Sequence, residues 1–249
     1  MPKTKYSKEY LKNHFFYSRW VYLVVVLVAL GAAEITFTVT RYQAPNARRV
    51  DIELLGGYAD LSNTADAEKA LLAAGQAYEL ARDEANGVDT SASDYEVPLQ
   101  EVGIYNINYS GTVSDNDDYY AGQKYMVMLA AQEGDIYILS RRQLIELIEQ
   151  NAVVPLDGYI ERGVIDPGDR DLGNVTFDEY DDDEQTTGER HVYALQASSL
   201  TGMNDALSFN PEGKYMAIVR FSQNPDTAAA VMQEMIELFE SPADEAEAQ

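Results

Sequence analysis

The chain has 249 residues, no cysteine and a formal net charge of −24 at pH 7. The absence of cysteine excludes disulfides, thiolate metal sites and a lipid-modified cysteine. The acidity excludes general nucleic-acid binding, because phosphate recognition needs clustered basic residues. The charge is unevenly divided: residues 1–49 carry eight Lys and Arg against two Asp and Glu, whereas residues 50–249 carry ten against forty.

An uncharged run at residues 20–33 lies within the basic segment. Apolar residues on both sides extend it to the roughly 20 residues that a membrane span requires. Five basic residues lie between positions 3 and 19, and the positive-inside rule then predicts a cytoplasmic N-terminus. We therefore predict a single-pass signal-anchor in the cell membrane, with an extracytoplasmic main domain. An extracellular domain without disulfides favours a bacterial source.

This interpretation divides the chain into five parts. They are a basic cytoplasmic tail at 1–18, a transmembrane anchor at 19–40, a stalk at 41–49, an acidic α/β domain at 50–240 and a disordered acidic tail at 241–249. Two alternatives remain open for the apolar run. Small residues at Gly31 and Ala33 would suit a cleaved signal peptide, although apolar character resumes after Glu34. A buried core helix would usually carry polar positions on one face, and this run has none.

The acidic domain alternates predicted strands and helices. Apolar or β-branched runs predict strands at 50–55, 102–109, 135–139, 192–197 and 215–221, and apolar residues three and four apart predict helices at 64–84, 119–132, 141–150 and 227–239. The acidic segment 166–190 is predicted to be an exposed loop. This order predicts an α/β sheet with helices packed on its faces. Ile136 and Ile138 are expected to be buried between a central strand and its helix, against Leu144 and Leu147.

One part of the domain resembles a known family. Residues 119–166 contain Ala-Ala followed by Gly, then an apolar strand (DIYIL), a helix and Pro-Leu-Asp; VDIELLGG, HVYALQ and SQNPDTAAAVMQEMIEL supply further matching segments. This arrangement resembles the first lobe of bacterial extracellular solute-binding proteins of the sugar ABC-transporter type. The resemblance implies a type II periplasmic-binding-protein-like lobe, here preceded by one transmembrane helix. Most of the family's second lobe is missing.

The missing lobe decides between two functional hypotheses. A single lobe cannot close as a clamshell over a solute. This favours a non-catalytic accessory or interaction subunit of a membrane assembly, with an integral-membrane protein as partner. The alternative is a genuine sugar-like solute-binding module that serves an ABC transporter. The expected partners are thus the membrane, a membrane protein and a small polar solute.

Candidate ligand-binding residues follow from the predicted sheet, because ligands of open α/β sheets lie beyond the carboxyl ends of the strands. The residues at those ends are Gly56, Gly57, Tyr58, Ser140, Arg141, Ser198 and Ser199. Glycine permits close backbone approach, tyrosine offers a stacking face, and serine and arginine donate hydrogen bonds to a polar solute. The simpler interpretation is that the glycine pair makes a turn and Ser140 caps the next helix.

No catalytic, metal or cofactor site is predicted. Asp115, Asp117 and Asp118, or residues 181–184, could offer oxygen ligands to calcium, but neither group has the spacing of an EF-hand loop, and solvated loops explain them. His14 and His191 are too few and too distant for zinc. The sequence contains no Gly-x-Ser-x-Gly motif, and we predict that the protein is not an enzyme.

Overall fold

A computed structural model describes residues 8–40, 44–110, 116–168, 176–180 and 186–240. The chain divides into two units, Met1–Gln43 and Ala44–Gln249. The predicted acidic tail at 241–249 lies outside the described residues, as do residues 1–7 and 41–43.

The first unit is one long helix, α1 (Lys8–Thr40). Its stretch Arg19–Phe37 spans 19 residues with a mean hydropathy of 2.1, so it is long and apolar enough to cross a membrane. None of this stretch is buried, which argues against the core-helix alternative. The helix begins well before residue 19, so it includes part of the predicted basic tail. A single N-terminal helix of this kind is consistent with single-pass anchoring.

The second unit begins with buried Ala44 and a 3-10 turn at Asn46–Arg48, within the predicted stalk. Its strands are β1 (Arg49–Leu55), β2 (Glu101–Ile107), β3 (Ile136–Ser140), β4 (Thr176–Tyr180), β5 (Thr186–Val192), β6 (Leu195–Gln196) and β7 (Lys214–Ile218). Its helices are α2 (Ala65–Ala85), α3 (Asn116–Ala131), α4 (Arg141–Glu149), α5 (Asp157–Glu161), α6 (Gly202–Leu207) and α7 (Pro225–Phe239).

The main sheet is open and mixed, with the strand order β2-β1-β3-β7-β6. Strand β1 runs parallel to both β2 and β3, whereas β7 runs antiparallel to β3 and β6. The predicted class, an α/β sheet with helices on its faces, is confirmed at this level. Strand β1 therefore has a neighbour on each side, and helices cover both faces of the sheet.

Two hydrophobic clusters lie on opposite faces of this sheet. On the first, which we call the α7 face, Ile52, Ile136 and Ile218 pack with residues of α2 and α7. Gly75 of α2 allows close packing against α7 and against the segment before β2, because a Cβ there would lie 3.1 Å from Val231 Cγ2 and 2.5 Å from Leu99 Cδ2. On the second, the α3 face, residues of α3 and α4 cover the sheet, with Tyr137 and Leu139 among its buried members.

The strand alternation corrects one packing prediction. Ile136, Ile138, Leu144 and Leu147 are all buried, as predicted. However, the two isoleucines point to the α7 face, and the two leucines of α4 pack on the α3 face. Because successive side chains of a strand point to opposite faces, the residues that meet α4 are Tyr137 and Leu139.

A second correction concerns the predicted loop at 166–190. Strands β4 and β5 form a separate two-stranded antiparallel sheet there, with Thr176 opposite Val192 and Tyr180 opposite Thr186. β-branched and aromatic residues favour strands, and the acidic composition of the segment does not prevent strand pairing. The strand predicted at 192–197 is divided between the end of β5 and the short β6. Helices α5 and α6 were not predicted.

Candidate functional site

The structure gathers three of the predicted ligand residues at the carboxyl edge of the parallel strands. Gly56 follows β1 with φ +73°, and its carbonyl oxygen accepts a hydrogen bond of 2.8 Å from Lys214 Nζ. Ser140 lies opposite Lys214 in the sheet register. Ser198 Oγ accepts from the backbone N–H of Gly213, at 3.1 Å. These groups thus surround the start of β7, and each hydrogen bond here is made within the protein.

The other predicted residues differ in exposure. Tyr58 is 67% exposed, and Arg141 is exposed as the first residue of α4. The carbonyl oxygen of Gly57 accepts from Asn106 Nδ2. The hydroxyl of Ser199 is buried and has no hydrogen-bond partner within the described part of the chain. A ligand role for this edge stays a prediction.

Ser140 has a clear local role. Its side chain accepts from the Gln143 backbone N–H, and Gln143 Oε1 accepts from the Ser140 N–H at 3.1 Å, which completes a capping box. We expect Ser140→Ala to lower the free energy of unfolding by about 1 kcal/mol. Arg141→Ala, a change at the adjacent exposed residue, should leave it nearly unchanged. Denaturant unfolding of both variants measures the difference, and equal stabilities would contradict the capping role.

A pocket lies elsewhere, on the α3 face of the sheet beside β1 and β2. Its volume is about 300 Å³. Its lining residues come from β1, β2, α3 and the turn after α3: Arg49, Asp51, Glu53, Tyr105, Ile107, Lys124, Val127, Met128 and Glu133. Strand β1 supplies a charged wall, α3 and the turn after it add Lys124 and Glu133, and the apolar lining is Ile107, Val127 and Met128.

Two acidic residues of β1 form the charged wall. Residues two apart on a strand share a face, so Asp51 and Glu53 both point to the α3 face, while Ile52 points to the other core. Strand β1 lies inside the sheet, between β2 and β3, and this face is covered by α3. The two residues are consequently only 4% and 6% exposed.

These carboxylates are incompletely paired. Asp51 Oδ2 lies 2.7 Å from a terminal guanidinium nitrogen of Arg49. Among the described residues, Asp51 Oδ1 and Arg49 Nε are buried without a hydrogen-bond partner. The side chain of Glu53 likewise makes no hydrogen bond or ion pair with the described part of the chain. Buried polar groups are normally satisfied, so this wall offers unused donors and acceptors.

Burial controls the protonation of both groups. It raises the pKa of Asp51 to about 6, against the lowering effect of Arg49; the charges of Asp135 and Glu101 raise it further. Burial also raises the pKa of Glu53 to about 7, with Asp51 raising it and Lys124 lowering it. Both groups therefore change charge near neutral pH, where an ordinary carboxyl is fully ionised.

A third carboxyl, Asp135, supports the wall. Its Oδ2 accepts from the Asp51 backbone N–H at 2.8 Å, and its own N–H donates to the Asp51 carbonyl at 2.9 Å. Its Oδ1 accepts from Ser222 Oγ at 2.6 Å. Burial raises the pKa of Asp135, while these hydrogen bonds lower it. Asp135 thus joins β1 to the start of β3, and its oxygens are used within the protein.

Tyr105 covers part of the pocket from β2. Its ring lies over Gly103, where a Cβ would be only 2.7 Å from Tyr105 Cε2 and from its hydroxyl oxygen. Glycine at 103 therefore makes room for the ring. Tyr105 is 40% exposed, and burial raises its pKa. The pocket combines three carboxyls, two cationic side chains, an aromatic ring and aliphatic side chains.

The two acidic groups that could offer oxygen ligands lie largely outside the described residues. That part of the chain contains no group of three or more His, Asp or Glu arranged to hold a metal ion. Asp115 and residues 181–184 lie outside the described residues, and Asp117 is exposed. His191 Nδ1 lies 3.3 Å from Asp157 Oδ2, so this histidine of β5 contacts the first residue of α5.

Comparison with known proteins adds no family assignment. No protein-family model matches the sequence, and no curated protein matches it. The resemblance to solute-binding proteins therefore stays a prediction.

Proposed function

We propose that the chain is a membrane-anchored, non-catalytic binding domain whose ligand occupies the pocket on the α3 face. The observation that carries the proposal is the pair of buried carboxyls at Asp51 and Glu53 in the wall of a pocket of about 300 Å³, with Asp51 Oδ1 unpaired among the described residues. Pockets of this size, mostly apolar with a few polar groups, are typical of small-molecule sites. We also propose that this unit has a type II periplasmic-binding-protein-like fold and that its role is to bind a solute.

A binding role fits the carboxyls better than a catalytic one. A general acid and base must both reach the reacting bond of a substrate. Asp51 is almost fully buried, and one of its oxygens is held by Arg49. It can fix a ligand's charge or orientation from the pocket wall, but it is poorly placed to transfer a proton to a substrate.

The binding role is tested by solute-induced stabilisation of the full chain in nonionic detergent. A library of sugars, amino acids and amines is screened by thermal shift. A ligand at about 100 times its dissociation constant should stabilise the fold by roughly 2.7 kcal/mol. Val127→Trp should remove the shift by filling the pocket mouth, while Met126→Trp should preserve it. Val127 lines the pocket and Met126 does not, although both are well exposed.

The same variants can contradict the pocket assignment. A shift that survives Val127→Trp but disappears in Arg141→Ala would move the ligand site to the carboxyl edge of the sheet. A shift that neither variant changes would exclude both sites.

The membrane topology is tested with single cysteines, because the chain has none of its own. We propose that the N-terminus is cytoplasmic and the acidic unit extracytoplasmic, as the basic flank favours. A membrane-impermeant maleimide added to intact cells, or to cells with a permeabilised outer layer, should label Tyr58→Cys and should not label Lys3→Cys. Labelling at position 3 alone would reverse the orientation.

A second candidate function is an accessory subunit that contacts an integral-membrane protein. The observation that favours it is the outer face of α3, where large side chains are 52–68% exposed: Tyr119, Tyr120, Met126 and Val127. These positions recur seven residues apart and so share one face of the helix. Their opposite, buried face packs on the sheet through Tyr125 and Met128.

Site-specific photo-crosslinking in membranes tests this second function. A photoreactive residue at Tyr120 should give one discrete adduct with a membrane protein, and the same residue at exposed Tyr58 should not. Met126→Asp should remove the adduct by placing a charge on the contact. Equal crosslinking from positions 58 and 120 would indicate random encounters and contradict the interaction role.

A further inference from the structure

We infer that the pocket on the α3 face binds a small organic cation, an alkylammonium or alkylguanidinium compound, through Glu53 and Asp51. The ring of Tyr105 and the side chains of Val127 and Met128 contact the alkyl part. This inference rests on the proposed binding function, because it names the ligand class for the same pocket.

The first argument is the unused hydrogen-bonding capacity of the charged wall. Asp51 Oδ1 is buried without a partner among the described residues, and Arg49 engages only Oδ2. The Glu53 carboxyl, 6% exposed, has no donor from that part of the chain either. A buried carboxylate without donors is costly. An ammonium group carries three donors and a positive charge, so it can donate hydrogen bonds to the Glu53 carboxyl and compensate the charge of Asp51.

The second argument is the chemistry of the remaining walls, which favours an organic cation over a metal ion. Calcium requires six to eight oxygen ligands, and the described carboxylates do not gather around one point. The pocket is closed instead by Ile107, Val127, Met128 and the Tyr105 ring. An alkyl chain buries apolar surface there, and a cation near the ring gains a further cation–π attraction.

The third argument concerns Lys124, the exposed cation on α3 that also lines the pocket. Its Nζ lies 3.4 Å from the carbonyl oxygen of Asn106, and its charge acts on Glu53. A bound cation would be repelled by Lys124. Removing that charge should therefore strengthen binding, whereas removing the charge of Glu53 should weaken it. Opposite effects of two neighbouring charges are hard to produce by misfolding.

Binding should also depend on pH. The charged groups that face Glu53 and Asp51 are Arg49 on β1, Glu101 and Tyr105 on β2, Lys124 on α3, Glu133 after it, and Asp135 before β3. A bound cation stabilises the ionised forms of both carboxyls. It should therefore release protons, and its affinity should rise between about pH 5 and about pH 8.

The experiment is calorimetric titration of the full chain in nonionic detergent at about pH 8. The probes are n-pentylammonium, n-pentylguanidinium, neutral 1-pentanol and calcium chloride. Binding of either cation, without binding of pentanol or calcium, is the expected result. Glu53→Gln should weaken cation binding by at least about tenfold, and Lys124→Gln should strengthen it by roughly threefold. The control Glu149→Gln, at an exposed position on α4, should not change it.

Several results would overturn the inference. They are equal binding of pentanol and pentylammonium, preferential binding of calcium, and cation binding that is unchanged in both Glu53→Gln and Lys124→Gln. Binding of pentanol that Val127→Trp abolishes would overturn the cation chemistry while the proposed binding function stands. Absence of heat from every probe would overturn the cation chemistry, and the solute library with Val127→Trp then decides the binding function separately.

Discussion

Replacing Ile136 with aspartate is expected to unfold the unit Ala44–Gln249. Ile136 is completely buried in β3, with Ile52 opposite it on β1 and Ile218 opposite it on β7. The change removes a large apolar side chain and places a carboxyl between Ile52 of β1 and Ile218 of β7. The cost is several kcal/mol, which is comparable with the total stability of a domain, about 5–15 kcal/mol. Far smaller effects are expected at exposed positions.

The measurement is hydrogen exchange of peptides from residues 44–240 in the full chain. The only tryptophan is Trp20, which lies in α1, so tryptophan fluorescence does not report on this unit. The matched control is Met126→Asp, at a position 62% exposed on α3, where we expect a change below about 1 kcal/mol. Full protection of β1 and β7 in Ile136→Asp would contradict the central position of β3.

Much of this fold follows from local sequence patterns. The runs VDIELL and YMAIV predict β1 and β7, and the three-and-four spacing of apolar residues predicts α2. These elements can be predicted locally, because the spacing of apolar residues within each one indicates its own type of secondary structure. The two faces of β3 could not be assigned in the same way. All of its residues from Ile136 to Leu139 are apolar and buried, so their alternation does not reveal which face α4 covers.

The candidate site was harder to predict, for a related reason. Asp51 and Glu53 alternate with apolar residues, a pattern that normally indicates a strand with one solvated face. Whether that face is solvated depends on α3 and on the pairing of β1 with two neighbours, which are long-range contacts. The alternating charges in VDIELL were the available signal, but their burial required the tertiary structure. Ser140, in contrast, follows its local capping pattern.

The stability of the unit Ala44–Gln249 is expected to carry a component that falls as pH rises. In the folded protein the pKa of Asp51 is about 6 and that of Glu53 about 7, above their ordinary values of 3.8 and 4.5. Between the ordinary and the folded values, the folded state holds more protons than the unfolded state. The free energy of unfolding therefore decreases with pH in this window. The stabilising contribution is complete below about pH 4 and is lost by about pH 8.

A difference of one pKa unit between the folded and the unfolded state corresponds to about 1.4 kcal/mol of stability. The pH-dependent component is therefore roughly 3 kcal/mol for each carboxyl if the coupling between the two is neglected. The many other carboxyls of this chain also titrate. The quantity to compare is therefore the difference between wild type and Glu53→Gln. A glutamine resembles the protonated acid, so the two proteins should be about equally stable below about pH 4, where Glu53 is protonated in both the folded and the unfolded state.

Near pH 8, Glu53→Gln should be more stable than wild type, by up to roughly 3 kcal/mol. Urea unfolding followed by near-ultraviolet dichroism of the tyrosines measures this, because Tyr125 and Tyr137 are buried in the same unit. Glu149→Gln, at an exposed position, should follow the wild-type pH dependence. If Glu53→Gln also follows it, Glu53 is not buried as a destabilising charge. If the expected difference is found, the cost of holding Glu53 ionised is the free energy that a bound cation can recover, which links the pH dependence of folding to the ligand class.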